Sequence, residues 1–263
     1  MNDFVLRERR GATLLVTLNR PERRNAFDPE VRAGIAEAVF EARDSDDVRA
    51  VVITGAGGAF CAGGDLKSLS AEKRPVFKDR DRIRRLHPWF RELVNLEKPV
   101  IAAVDGPAFG AGFNLALACD FILGTPAARF CAVFGRIGLV PDLGGFFLLP
   151  RIVGLQRAKD LVFSAREVAA DEALQLGILF RIVESGQLLD EALALAARYH
   201  GASTEALGIA KNILNRSFNL DQDTLAELES SAQAMALHTA YHDEAVASFL
   251  AKRPLSFKGV PKP

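Results

Sequence analysis

The fold is decided by residues 98–120, KPVIAAVDGPAFGAGFNLALACD. Residues 99–104 predict a buried strand, because the run is short, apolar and bounded by turn signals. A glycine-broken turn follows at 106–112, and the apolar residues after it predict a helix. Such a turn leaves backbone N–H groups free and directs them, with the helix dipole, at one point. The segment therefore predicts a site for a developing negative charge.

Strand and helix patterns alternate on both sides of this segment. Strands are predicted at residues 4–18 (two strands around a turn), 49–54 and 121–123. Asp28 and Pro29 predict a helix start, and the apolar face of that helix would be Val31, Ile35, Val39 and Ala42. A helical pattern at 66–97 is broken by Pro88.

The alternation continues to about Val183 and predicts an α/β protein. From there on the pattern becomes helical, with helices predicted at residues 188–200, 204–217 and 224–250. We therefore divide the chain into a core, residues 1–185, and a C-terminal helical region, residues 186–263.

Composition and charge exclude several classes of protein. Lys and Arg together number 33, as do Asp and Glu, so the zero net charge gives no general attraction to nucleic acid or anionic membranes. No apolar run reaches the roughly 18 residues needed to cross a bilayer. The first ten residues, MNDFVLRERR, contain five charged groups and do not resemble a signal peptide. Three cysteines without a CxxC pair fit reduced thiols, so we expect a cytoplasmic protein.

Two glycine loops after strands raise the question of nucleotide binding. The GAG sequences at 55–57 and 110–112 lack the third glycine of a dinucleotide fingerprint, because Phe60 and Leu115 stand there. Residues 64–65, Gly-Asp, stand where a P-loop has Lys followed by Ser or Thr. Neither kind of nucleotide site is predicted.

Metal and nucleophile chemistry have weak support. His238 and His242 lie four apart on a predicted helix, a spacing that can bind zinc, but the Glu of a zinc-protease helix and a third ligand are missing. Cys61 lies in a glycine loop without a local base, so we interpret it as a small buried apolar residue. The chain has no GxSxG sequence. We expect no bound metal.

Several segments resemble those of the enoyl-CoA hydratase/isomerase (crotonase) superfamily. Residues 60–67 (FCAGGDLK) and 105–120 (DGPAFGAGFNLALACD) resemble its two oxyanion segments. Its coenzyme A loop, third active-site segment and C-terminal signature resemble residues 18–21 with 25–26 (LNRP, NA), 139–145 with 149–154 (LVPDLGG, LPRIVG) and 248–254 (SFLAKRP). The resemblance covers nearly the whole chain.

This resemblance implies an α/β fold, a crotonase-like spiral of ββα repeats with a C-terminal helical trimerisation region. It implies self-association as a homotrimer or hexamer and an acyl-CoA thioester as substrate. Coenzyme A is then part of the substrate, so no separate cofactor is expected. The backbone N–H groups of Gly64 and Ala111 would hold the thioester oxygen. One such donor typically contributes about 3 kcal/mol to stabilising a transition state.

The reaction depends on three positions. Family hydratases use two carboxylates, which would fall at Asn114 and Phe134, and neither an amide nor a phenyl ring transfers a proton. Asp142 remains in the third segment and suits a proton shuttle. We expect Phe134, Phe146 and Phe147 to raise its pKa. The combination of Asn114, Phe134 and Asp142 resembles the ring-epoxide isomerase branch, which implies Asp142 as acid and base and Asn114 as a supporting group.

The remaining substrate contacts also rest on the resemblance. Residues that would cradle the coenzyme A moiety are Arg24, Ala26, Ala62, Asp65 and Leu66. Lys67 would meet a phosphate, Phe134 would contact the substrate, and Lys258 would reach the nucleotide bound by a neighbouring protomer.

Three functions stay open at this point. The first is an acyl-CoA isomerase that uses Asp142. The second is an enoyl-CoA hydratase or another lyase of the family, which recruits a different group. The third is a non-catalytic acyl-CoA-binding subunit, which the missing carboxylate pair favours.

Overall fold

The computed structural model describes residues 3–65 and 75–259. The strands of this part are β1 (Val5–Arg10), β2 (Thr13–Leu18), β3 (Ala50–Gly55), β4 (Val100–Val104), β5 (Pro107–Phe109), β6 (Phe121–Gly124), β7 (Arg129–Cys131), β8 (Glu167–Ala169) and β9 (Arg181–Ile182). Its α-helices are α1 (Pro29–Asp44), α2 (Val76–Arg84), α3 (His87–Val94), α4 (Ala111–Leu117), α5 (Gly145–Val153), α6 (Leu155–Ser164), α7 (Ala170–Gln175), α8 (Leu188–Ala197), α9 (Thr204–Leu214), α10 (Gln222–Leu237) and α11 (Ala240–Leu250). Short 3-10 turns occur at Pro21–Arg23, Val133–Ile137 and Ser217–Asn219.

The strands form two sheets. The main sheet has the order β1-β2-β3-β4-β6-β9, with β1 antiparallel to β2 and the others parallel. The smaller sheet has the order β5-β7-β8. The chain twice passes from the main sheet to the smaller sheet and then to a helix, through β4-β5-α4 and β6-β7-α5. The α/β class and the ββα repeat are confirmed.

Helix α1 shows why local signals succeed here. The Asp28 carboxylate accepts a hydrogen bond from the Val31 N–H at 2.8 Å, and a proline stands in the first turn. Val31, Ile35 and Val39 are buried in the core with strands of the main sheet. The predicted cap and apolar face are both confirmed.

Two predicted elements differ from the structure. The turn predicted at 106–112 contains the strand β5, whose partner β7 lies about twenty residues further along the chain. The single helix predicted at 224–250 is two helices. The Thr239 hydroxyl accepts a hydrogen bond from the His242 N–H and starts α11, so α10 ends before it.

The C-terminal helices attach to the core unequally. Helix α8 packs on one face of the main sheet, where Leu188, Ala192 and Leu195 form a cluster with Val52 and Ile101. Helices α10 and α11 instead leave large apolar side chains exposed: Met235, Leu237, Val246, Phe249 and Leu250. The division at residue 185 stays a prediction, and α8 completes the second face of the sheet.

The parallel strands decide where the predicted site lies. The carboxyl ends of parallel strands meet at one edge of a sheet. The loops that leave β2, β3 and β4 at that edge carry residues 19–28, 56–65 and 105–110. This edge, which we call the carboxyl edge, brings the predicted coenzyme A loop and the two oxyanion segments together.

Candidate active site

The two predicted oxyanion segments lie against each other. The Cys61 N–H donates to the Pro107 carbonyl at 3.0 Å, and the Phe109 N–H donates to the Cys61 carbonyl at 2.9 Å. Gly63 has a φ of +90°, and a Cβ there would lie 2.7 Å from the Phe109 carbonyl oxygen and 3.5 Å from the Ala111 nitrogen. Only glycine allows this approach.

The N–H groups of Gly64 and Ala111 are both free within the described residues. The neighbouring hydrogen bonds run from the Phe27 N–H to the Gly63 carbonyl and from the Asp65 N–H to the Phe27 carbonyl, which leaves the Gly64 N–H unused. Ala111 is the first residue of α4, so its N–H has no acceptor within the helix. The structure thus brings the two predicted donor segments into contact.

The predicted coenzyme A loop is tied to the first oxyanion segment. The Ala62 N–H donates to the Arg24 carbonyl at 2.9 Å, and Ala26 lies two residues further along the same loop. Asp65 joins the loop through its N–H, which donates to the Phe27 carbonyl at 3.1 Å. Arg24, Ala26, Ala62 and Asp65 therefore share the carboxyl edge. Leu66 and Lys67 lie outside the described residues.

Asn25, which the sequence places in this loop without a role, holds the loop in position. Its side-chain oxygen accepts a hydrogen bond from the Arg20 N–H at 2.7 Å, and its amide donates to the carbonyls of Ala56 and Ala59 at 2.9 and 2.7 Å. Asn25 is fully buried and has a φ of +56°, a conformation that asparagine tolerates better than most residues. Two of its three partners, Ala56 and Ala59, lie more than thirty residues away, so no local signal marks the contact between these loops.

Asn114 and Asp142 are brought into direct contact. The Asn114 amide donates to the main-chain carbonyl of Asp142 at 2.8 Å, and the same carbonyl accepts the Gly145 N–H at 2.9 Å. Asn114 is buried on α4, three residues beyond Ala111. Asp142 and the predicted oxyanion donor Ala111 are therefore linked through one short helix.

The environment of Asp142 makes its carboxylate a stronger base than a fully solvated one. Burial raises the pKa of the Asp142 carboxyl, and a hydrogen bond from its own backbone and the nearby Arg82, His87 and Arg32 side chains oppose the shift. The Asp142 Oδ1 atom is buried and has no hydrogen-bond partner in the part of the chain that the structure describes. A desolvated carboxyl with a free oxygen is suited to exchanging a proton with a substrate.

The phenylalanines predicted to lie near Asp142 differ in their exposure. Phe134 is buried, and a Cβ on Gly110 would lie 3.7 Å from its ring. Phe146 and Phe147 are 63% and 40% exposed in one protomer, and the Arg151 guanidinium lies over the Phe147 ring at 3.5 Å. A Cβ on Gly144, in the turn after Asp142, would lie 2.6 Å from the Phe90 ring and 3.5 Å from the Leu148 side chain.

Lys258 does not join the other predicted residues in one protomer. Its neighbour Phe257 stacks on Tyr199 with ring centroids 6.5 Å apart, and Tyr199 stacks on Phe121 at the start of β6. Lys258 is exposed beside this cluster, at the amino ends of the strands, whereas Arg24 lies beyond the carboxyl ends. A contact between Lys258 and the nucleotide of a neighbouring protomer stays a prediction.

A polar cleft of about 840 Å³ also opens toward the amino ends of the strands. Its walls include Arg49, Lys98 and Glu205 and none of the predicted site residues. Lys98 donates to the Ser45 carbonyl, just after α1, and Arg49 donates to the Ala202 carbonyl, between α8 and α9. Both cations are therefore engaged with main-chain carbonyls at the ends of helices.

The histidine and cysteine features do not form sites. His238 follows the last turn of α10 and His242 lies in the first turn of α11, so the predicted spacing on one helix is wrong. No group of three His, Cys, Asp or Glu side chains that could hold a metal occurs within residues 3–65 and 75–259. Burial raises the pKa of the Cys61 thiol to about 12, so Cys61 is not a thiolate near neutral pH.

Among the helices that the structure describes, none combines the length and the apolar character that a membrane span requires.

Comparisons with known proteins agree with this geometry. Residues 8–260 match the family model described as enoyl-CoA hydratase/isomerase. The chain is 37% identical to the 1,2-epoxyphenylacetyl-CoA isomerase of Escherichia coli K12, over 98% of this chain and 100% of that protein. It is 33% identical to the short-chain-enoyl-CoA hydratase of Clostridium acetobutylicum, over 97% of each chain. The crystal structure of an enoyl-CoA hydratase/isomerase from Cupriavidus metallidurans CH34 superimposes with a TM-score of 0.93 at 40% identity, over 99% of this chain and 98% of that one.

Proposed function

Because the chain belongs to the enoyl-CoA hydratase/isomerase family, we propose that it is an acyl-CoA isomerase in which Asp142 moves a proton. The family acts on acyl-CoA thioesters, so the substrate class follows from membership. The choice of isomerase rests mainly on Asp142, a partly buried carboxyl whose Oδ1 atom is buried and unpartnered in the described structure.

The first step is removal of a proton from C2 beside the thioester. The electron pair of the C–H bond moves onto the thioester oxygen and forms an enolate. The N–H groups of Gly64 and Ala111 donate to that oxygen, and a preorganised pair of donors stabilises the charge as it develops. The first turn of α4 adds its positive dipole end at the same place.

Asp142 carries the proton. Its ionised carboxylate accepts the proton from C2, and the resulting acid returns the proton to another carbon of the same substrate. No atom is gained or lost, so the product is an isomer. A raised pKa makes the carboxylate a stronger base toward a weakly acidic C–H group. Asn114 and Phe134 supply no second proton-transfer group, which disfavours water addition.

The similarity to the E. coli protein narrows the range of candidate substrates. It is a 1,2-epoxyphenylacetyl-CoA isomerase, and by this similarity we propose ring-epoxide or oxepin derivatives of phenylacetyl-CoA as substrates here. Apolar residues exposed on α10 and α11 support a homotrimer or hexamer, in which Lys258 reaches a neighbouring site. We propose a cytoplasmic enzyme that needs no cofactor beyond the coenzyme A of its substrate.

The test is the variant Asp142→Asn, with Asp171→Asn on the exposed surface of α7 as its control. Turnover of an epoxyphenylacetyl-CoA or enoyl-CoA is expected to fall about 100-fold or more in Asp142→Asn, since general acid–base catalysis contributes at least that much. Acyl-CoA affinity should be retained in both variants. Full activity in Asp142→Asn would end the proposal.

The second candidate is an enoyl-CoA hydratase, and the similarity to the Clostridium hydratase favours it. Incorporation of labelled water into a crotonyl-type substrate, with Asp142 dispensable, would select it. Tight acyl-CoA binding without solvent deuterium exchange at C2 would instead select a non-catalytic binding subunit.

A further inference from the structure

The turn that carries Asp142 is held in a conformation that its own residues do not favour. Leu143 has a φ of +39° and Gly144 a φ of +71°. A non-glycine residue in this region is strained and persists only where the surroundings fix it. Leu143 is almost completely buried, so its side chain is one of the constraints.

Asn114 supplies a second constraint from another element. Its amide lies on α4 and donates to the Asp142 carbonyl at 2.8 Å, across 28 residues of chain. The side chain is 3% exposed, so water does not compete for that bond. The Gly145 N–H donates to the same carbonyl and closes the turn.

Gly145 fits the Asn114 side chain closely. A Cβ on Gly145 would lie 2.6 Å from Nδ2 and 2.9 Å from Oδ1 of Asn114. Real Cβ atoms do not come this close, so any side chain at 145 displaces the amide. The position of Asn114 is thus determined from both sides, by a hydrogen bond and by contact.

We infer that Asn114 is a positioning residue whose amide donor fixes the turn that carries the Asp142 carboxyl, and that this requirement excludes an ionised carboxylate at position 114. The inference rests on the proposed role of Asp142. An ionised Asp or Glu at 114 has only acceptors and would face the Asp142 carbonyl oxygen, so the two oxygens would repel each other. An ionised carboxylate at position 114, where family hydratases have one, would therefore displace the turn that carries Asp142 without creating a hydratase.

The deciding variant is Asn114→Asp, because Asp has nearly the shape of Asn. When protonated, its hydroxyl donates to the Asp142 carbonyl as the amide does, and when ionised it cannot. Burial raises the pKa of such a carboxyl. We expect kcat near the parental value at low pH and an alkaline loss of kcat that the parent lacks, with KM for the acyl-CoA changed less than about threefold.

Two further variants separate positioning from substrate contact. Asn114→Ala should lower kcat at every pH with little change in KM. Gly145→Ala, which displaces the amide without altering it, should lower kcat in the same way. Gly135→Ala is the control, because a Cβ there meets only ordinary contacts at 3.5 Å or more. A rise in KM without a fall in kcat in Asn114→Ala would overturn the inference.

A measurement without turnover keeps this inference separate from the proposed function. Carbon-13 NMR of protein labelled at its aspartate carboxyls follows the titration of Asp142, which is assigned by its loss in Asp142→Asn. The charged groups that face Asp142 are Arg32 of α1, Arg82 of α2 and His87 of α3, and all stay unchanged in these variants. In Asn114→Ala the Asp142 pKa should fall toward the ordinary value, since a loosened turn admits water. An unchanged Asp142 pKa would overturn the inference even in a protein without isomerase activity.

Discussion

The Lys211 ammonium lies 2.7 Å from the Asp120 carboxylate and joins α9 to the end of the predicted second oxyanion segment. Lys211 also donates to the Lys98 carbonyl at 3.0 Å, and the Asp120 carboxylate accepts the Val100 N–H at 2.7 Å. Burial raises the pKa of Asp120, and Lys211 opposes that shift. Helix α9 is thereby held at the start of β4.

Lys211→Met should destabilise the protein. The change leaves the Asp120 carboxylate with one fewer charged partner, and a hydrogen bond to a charged group contributes about 1.5–3 kcal/mol. Urea unfolding should show a decrease of this size in the free energy of unfolding. Lys159→Met, an exposed lysine on α6, is the control and should change it by less than about 0.5 kcal/mol. Equal stabilities of the two variants would contradict the role of the ion pair.

Gly63→Ala should separate the two oxyanion segments. Its Cβ would lie 2.7 Å from the Phe109 carbonyl oxygen, next to the Ala111 N–H. We expect kcat to fall about 100-fold, the usual effect of losing one oxyanion donor. Gly58→Ala is a matched control, because Gly58 also has a positive φ (+71°) but nothing within 4 Å of its Cβ position. Steady-state kinetics on both variants would refute the assignment if their losses of kcat were the same.

Asn25→Ala should destabilise the coenzyme A loop. The change removes three hydrogen bonds from a buried side chain and places alanine at a φ of +56°. The free energy of unfolding should fall by about 3 kcal/mol, and acyl-CoA affinity measured by calorimetry should weaken. Asn19→Ala removes only a hydrogen bond to the Asp3 carbonyl and should cost less than about 1 kcal/mol. Parental affinity in Asn25→Ala would show that the loop needs no such support.

The pH dependence of turnover should report the raised pKa of Asp142. A buried carboxyl that must be ionised to act loses activity as pH falls through a pKa above the usual value of about 3.9. Arg82→Gln removes a positive charge that lowers this pKa, so the acid limb of kcat/KM should move to higher pH, and less so in high salt. Arg84→Gln, an exposed position on the same helix, should leave the limb in place. Identical limbs in both variants would contradict the assignment of Asp142.

Local signals in the sequence predicted elements whose causes are local. The Asp28 cap starts α1, and the apolar run before Gly106 forms β4. The strand β5 escaped prediction because it is three residues long and is defined by pairing with β7. The break before α11 did have a local signal, the Thr239 cap. The apolar pattern continues across this position and therefore predicted a single helix.

Three features follow from the amino-acid sequence alone: the family, the two glycine-rich segments and the absence of a carboxylate at positions 114 and 134. These depend on which residues are present and on their order. The folded structure was needed to show that the Asn114 amide meets the Asp142 carbonyl, that Asn25 links two loops, and that Lys258 lies at the opposite edge from Arg24. Each of these is a contact, or a separation, between residues far apart along the chain. These contacts and separations arise when the parallel strands align and their loops meet at one edge of the sheet. A local sequence pattern does not contain that information.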